Sequence, residues 1–200
     1  MPNWCTNTTQ IFGEAEDIQK FADAVTISTE LGDTEEGWDE AQPEIAVMRK
    51  LVPIPEGKDG YDWASDEWGS KWGDCHTRVR DDYDPAMPPD NLLVLDYDTA
   101  WGPCDKGWRN VSKLFPNLTF VTQYNEPGMG FCGAFGNRAG EVIHDVGYDQ
   151  HSDEYPEWPG SDDDDKVYTD WCEKVDDLID LCVGQVSEAM MTTGAARYMR

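Results

Sequence analysis

The chain has 200 residues, with 41 Asp+Glu against 15 Lys+Arg and a formal net charge of -26 at pH 7. Hydrophobic residues make up 39% and aromatic residues 12%, including nine Trp and six Phe, which excludes an acidic disordered tail because such segments are poor in aromatics. No basic-led apolar leader and no apolar run of membrane-spanning length is present, so the expectation is a soluble cytoplasmic protein that binds neither membrane nor, given its charge, nucleic acid directly.

The chain opens on WCTNTTQIF, residues 4–12, whose alternation and β-branched content predict a strand. Glu14, Glu16 and Asp17 then place negative charge at a helix start, and Ile18, Phe21, Ala22 and Val25 recur at helical spacing, so 15–26 is predicted as a helix. Residues 28–43 lose periodicity and carry much of an acid cluster, eleven acidic residues from Glu14 to Glu44 against one lysine. They read as part of an acidic insertion at about 28–58. A short apolar stretch at 45–52, stopped by Pro53-Ile54-Pro55, fits a short helix inside it.

Residues 57–70, rich in Gly, Asp and Trp, read as irregular, and 72–80 as a strand. Residues 91–98 (NLLVLDYD) hold a continuous apolar run, which predicts an interior strand. Trp108, Val111 and Phe115 share a helical face between Pro103 and Pro116. Residues 118–124 are a further strand, and 131–135 and 141–148 read as hairpin arms around 137–140. Beyond an acidic linker comes the longest helix candidate, 167–191, with Trp171, Val175, Leu178, Cys182, Val186 and Met190 on one stripe.

The order strand, helix, strand, strand, helix, strand gives an α+β class: a ferredoxin-like antiparallel sheet (βαββαβ) with an acidic insertion, an extra β-hairpin and a long C-terminal helix. The expected organisation is a ferredoxin-like domain over 1–150, then an acidic linker and amphipathic helix over 151–200 that covers its apolar stripe on that domain.

Six short motifs occur in this order: Pro2-Asn3-Trp4-Cys5-x-Asn7, Leu51-Val52-Pro53-Ile54-Pro55-Glu56, Glu67-Trp68-Gly69-Ser70-Lys71-Trp72, Thr99-Ala100-Trp101-Gly102-Pro103, Tyr124-x-Glu126-Pro127-Gly128 and Gly130-Phe131-Cys132-Gly133. Together they resemble the YubB-type (Api-like) ferredoxin-like domain family of bacteriophage and plasmid proteins, over about residues 1–146. The resemblance implies the ferredoxin-like fold and a mobile-element origin, and it brings no catalytic residues. The acid-rich insertion and the segment from His151 onward depart from it.

The charge points to a partner with a basic surface. Carboxylates spaced along a surface compete for clefts that gain affinity by neutralising phosphate, so one expectation is an accessory protein that binds and modulates a host protein, with nucleic-acid mimicry as one form. Its candidate surface is Asp162, Asp163, Asp164, Asp165, Asp176, Asp177 and Asp180, with Glu35 and Glu36 in the insertion. The bland reading of the same residues is a solvated, solubilising face. The alternative is an enzyme or nucleotide-binding protein using the Trp/Gly-rich region, with Trp68, Trp72 and Trp101 as ligand-binding residues; against it stands the structural role of Trp side chains that plug loops.

No cofactor is expected. The six cysteines form no C-x-x-C pair, so no metal site is assigned, although Cys75-His76 adjoin and Cys5, Cys104, Cys132 and His144 could converge. A dyad of His144 with Asp145 or Glu141, or a Cys132 nucleophile, would need a shaped pocket that sequence does not display, and the chain is not expected to be an enzyme.

Overall fold

In the computed structural model, residues 3–27, 44–80, 91–160 and 165–192 are described. The first strand, β1 (Trp4–Phe12), is followed by α1 (Ala15–Val25), whose buried face is Phe21 and Val25 and whose first turn carries Glu16 and Asp17. Acidic residues there suit the positive end of the helix dipole. The residues flanking 28–43 form a two-residue strand pair, β2 (Thr26–Ile27) with β3 (Glu44–Ile45). Then come α2 (Val47–Leu51), α3 (Gly60–Glu67) and β4 (Cys75–Val79).

Helix α3 corrects the irregular reading of 57–70. Asp59 supplies its cap, accepting from the N–H groups of Tyr61 and Asp62, and only Ala64 is buried, so the helix carries almost no apolar periodicity to read.

The second half runs β5 (Leu92–Ala100), α4 (Asp105–Leu114), β6 (Thr119–Glu126), β7 (Phe131–Arg138), β8 (Glu141–Asp149) and α5 (Asp165–Thr192). The six long strands form one sheet in the order β4-β5-β1-β6-β7-β8, with every neighbouring pair antiparallel. The first four have the ferredoxin-like arrangement, and the hairpin β7–β8 extends it past β6. As expected, β5 lies inside the sheet, between β4 and β1. The turn of the hairpin is Ala139-Gly140, both at positive φ (50° and 85°), the backbone of a two-residue type I′ connection.

Alternation along the strands divides the core between two faces. One face, covered by α1 and α4, buries Ile11, Leu95, Tyr97 and Phe120 against Phe21, Trp108 and Val111. Its polar members are joined in a chain: the Trp108 indole donates to the Tyr97 hydroxyl at 2.6 Å, which bonds Thr9, which bonds Thr122. That chain lets threonines occupy a buried strand without loss. On the opposite face α5 lies over β6–β8, where Val121, Ala134 and Cys132 meet Cys182, Val186, Met190, Trp171, Val175 and Ile179, and the cluster reaches Phe12 of β1. At Gly136 a Cβ would collide with the ends of Met190 and Val186, so the helix lies directly on β7. Glu126, buried at the end of β6, accepts from the N–H groups of Gly128 and Met129 and closes the Glu-Pro-Gly turn.

Candidate functional site

Helix α5 divides cleanly by face. Trp171, Val175, Leu178, Cys182, Val186 and Met190 are buried, while Glu173, Asp177, Asp180 and Glu188 are exposed on the solvent side. At 1.5 Å rise per residue these carboxylates recur about once per turn or two. Asp176 lies on the flank, where it borders a groove with Thr6, Thr8, Gln123 and Asn125. Lys166 pairs with Asp170 at 2.6 Å. Of the acidic residues expected to bind a partner, Asp176, Asp177 and Asp180 therefore share one helix and are exposed on it. Asp165 begins that helix, and Asp162, Asp163, Asp164, Glu35 and Glu36 lie outside the described residues.

The three tryptophans of the alternative site do not come together. Trp68 is 2% exposed, donates from its indole to the Val52 carbonyl at 2.8 Å and meets Trp63 edge-on. It is a core side chain and presents nothing to a ligand, which corrects its place in that site. Trp72 and Trp101 are exposed. Trp72 lies against Trp4, with Lys71 Nζ 5.0 Å from its ring and 5.2 Å from that of Tyr61. Trp101 shares a shallow cleft with Tyr61 and Lys71 and has a φ of 70°, an outlier for a bulky side chain. Trp4 and Tyr61, which the sequence reading did not single out, complete this aromatic patch.

Over β1, β5 and β4 the sheet face that bears α5 carries a polar cluster beside the buried Phe12 and Val94. Arg80 binds Asp96 through Nε (2.9 Å) and Nη2 (2.6 Å) and donates to Thr8 at 2.9 Å, while Thr8 donates to Asp96 at 2.7 Å. Burial raises the Asp96 carboxyl, but the bonds from Arg80 and Thr8 and the charges of Arg80 and Arg78 outweigh it and hold the group below its ordinary value. His76, at positive φ in a bulge of β4, meets Asp98 at 3.1 Å and stands against Trp4. Carboxylates thus answer Arg80 and His76 on this face.

A cavity of about 880 Å³ opens at the N-terminal end of α5, lined by Tyr155, Glu157, Trp158, Tyr168 and Trp171 together with the Pro127–Gly130 turn. Trp158 stands at 85° to Trp171 with centroids 4.8 Å apart, and Tyr168 stacks on Trp171 at 26°. The Trp171 indole donates to the Pro156 carbonyl at 3.1 Å, which fixes that ring. Tyr155 is buried, its hydroxyl has no partner among the described residues, and burial pushes it up to about 12. Sequence reasoning missed this cavity. Its only signal was a run of aromatics, Tyr155, Trp158, Tyr168 and Trp171, across a segment dominated by acid.

Cys132 and His144 lie apart in the hairpin. Cys132 pairs across the ladder with Tyr148, and His144 with Gly136, four residues away along β7. Burial pushes the Cys132 thiol up to about 12, followed by the influence of Cys182 and Asp176; an activated nucleophile requires the opposite shift. The Cys5 thiol, likewise buried, is also pushed up to about 12. Among the described residues no three His, Cys, Asp or Glu side chains gather as metal ligands would, and no helix is long and apolar enough to cross a membrane.

Residues 74–169, from the start of β4 into α5, match the family model described as a ferredoxin-like domain in Api92-like protein. The fold is also similar to the crystal structure of a protein api92 from Yersinia pseudotuberculosis, with a TM-score of 0.54 at 10% identity, covering 76% of this chain and 100% of that one. At that identity the likeness establishes the fold. No curated protein matches the chain.

Proposed function

We propose that this is a mobile-element-encoded accessory protein of the host cytoplasm. It acts by binding, not catalysis, and its partner is a host protein with a basic surface that handles or recognises nucleic acid. The observation that carries the reading is the exposed face of α5, where Glu173, Asp177, Asp180 and Glu188 stand free of any ion pair among the described residues while the opposite face is committed to the sheet. A rigid helix holding carboxylates about 5 to 12 Å apart along its axis presents the spaced negative charge that a phosphate-binding cleft accepts.

The test is affinity capture from a bacterial host lysate at low and high salt, with wild type and the Asp177→Asn, Asp180→Asn double variant in parallel. One basic protein retained at low salt, released by salt and weakened by the variant supports the reading. Equal capture by both proteins removes it. In the same series, a gel shift with DNA and RNA should show no saturable complex.

A second reading, a small ligand held at the patch of Trp72, Trp101, Tyr61 and Lys71, is favoured by the unusual backbone of Trp101, since such conformations concentrate at binding sites. A small molecule that co-purifies with wild type and is lost in Trp101→Gly would favour it over the first.

A further inference from the structure

We propose that the cavity at the start of α5 seats an arginine side chain of the basic partner, so that one stacked guanidinium anchors the complex and the carboxylates of the helix steer it. The inference rests on the binding reading above and names the chemistry the partner must offer.

The walls decide the occupant. Trp158 and Tyr168 are 49% and 40% exposed, which leaves two large aromatic surfaces in water beside a core that has taken Trp171 and Tyr155. Aromatic side chains held in this way are the usual anchors of an interface. Their faces are negative and attract cations, and Glu157 adds a carboxylate to the same rim. An anion would meet the Glu157 carboxylate on the rim and the negative ring faces. An apolar side chain would leave Glu157 unused. A guanidinium satisfies both features, because it stacks flat on an aromatic ring while its N–H groups point outward in the plane toward a carboxylate. An ammonium is more strongly hydrated and cannot stack.

The cavity also lies on the acidic helix itself. Trp171 contributes to its wall, and Asp177 and Asp180 follow on the same α5, about 9 and 14 Å further along the axis and about 120° and 180° around it. An extended basic segment of roughly six to eight residues passing round the helix reaches both features, which favours a protein partner over a free cation.

The experiment uses the full chain and three synthetic peptides of equal length: a lysine-rich peptide with one central arginine, the same peptide with citrulline there, and the same with lysine there. Binding is measured by titration calorimetry, and the indole N–H resonances report the seat. Wild type should bind the arginine peptide at least fivefold more tightly than either other, with the Trp158 resonance shifted. Trp158→Ala, at a half-exposed position, should remove the preference and retain the weaker charge-driven binding. Glu157→Gln, which leaves the packing intact, should reduce the preference. Asp177→Asn with Asp180→Asn should weaken all three peptides alike and keep the preference. No arginine preference in wild type, or a preference that survives Trp158→Ala, overturns the inference. If in that case binding still depends on Asp177 and Asp180, the acidic-surface reading stands without it. An arginine preference indifferent to those aspartates keeps the cavity and removes the steering helix. No binding of any peptide overturns both.

Discussion

Asp74 caps a helix that lies 27 residues before it in the chain. Its Oδ2 accepts the N–H of Val47 at 2.9 Å and its Oδ1 the N–H of Met48 at 2.8 Å, and Thr77 donates to the same carboxylate at 2.7 Å. The cap residue of α2 is Ala46, which has no side-chain acceptor to offer. The residue before β4 therefore holds the start of α2 in place, and Asp74 is only 2% exposed.

Asp74→Ala should accordingly destabilise by ~2–4 kcal/mol, because it removes two charge-assisted bonds and leaves two buried N–H groups unsatisfied. Asp74→Asn should cost less, since the amide keeps one acceptor. Urea unfolding followed by tryptophan fluorescence measures both, and equal, negligible losses would remove Asp74 from this role.

Trp171 joins α5 to the segment that precedes it, through packing on Tyr155 and the bond to Pro156. Trp171→Ala should cost ~3–5 kcal/mol, as for a large aromatic removed from a packed site. Trp158→Ala should cost far less. A thermal melt of the two variants that reversed this order would show the burial of the two rings to be misassigned.

Asp177 and Asp180 are like charges three residues apart, and such pairs repel on a helix. Neutralising both with asparagine should leave the melting temperature unchanged or raise it. Added salt should stabilise wild type more than the variant, because screening acts on the same repulsion. A large loss of stability in the variant would mean that these carboxylates make structural contacts.

Acid should act on Asp96 in a defined direction. Its carboxyl is held below its ordinary value in the folded chain, so its contribution is fully present above the unfolded value of about 3.9. It is lost as pH falls through the lower folded value. The difference in melting temperature between wild type and Asp96→Asn should be largest near neutrality and should shrink as pH falls below about 4. A difference that grows on acidification would contradict the Arg80–Asp96–Thr8 arrangement.

What the sequence disclosed follows from where the physics is local. The alternation of 4–12 and the apolar run of 91–98 mark β1 and β5 because side chains on a strand declare their faces directly. The stripe from Trp171 to Met190 gives α5 in the same way. Helix α3 is hidden because only Trp63 and Ala64 turn apolar surface to the core, and the Asp59 cap starts it. Trp68 was placed with Trp72 and Trp101 because nearness in sequence cannot tell a side chain turned inward from one turned out. The aromatic cavity depends on the return of residues 155–158 to the start of α5 beside the Pro127–Gly130 turn, a tertiary event without a periodic signature.

The ends of the sheet have a consequence for how the molecule behaves in concentrated solution. A free strand edge is a template on which another sheet can grow. At β8 the edge bears Glu141, Asp145 and Asp149, so a second copy brought alongside meets its own charge. At β4 the strand is short, and the bulge between Cys75 and Arg78 breaks the regular ladder, spoiling the register a newcomer would need. Repulsion closes one border and irregular geometry the other, so strand-by-strand polymerisation finds no starting point even though no described strand continues the sheet beyond β4 or β8.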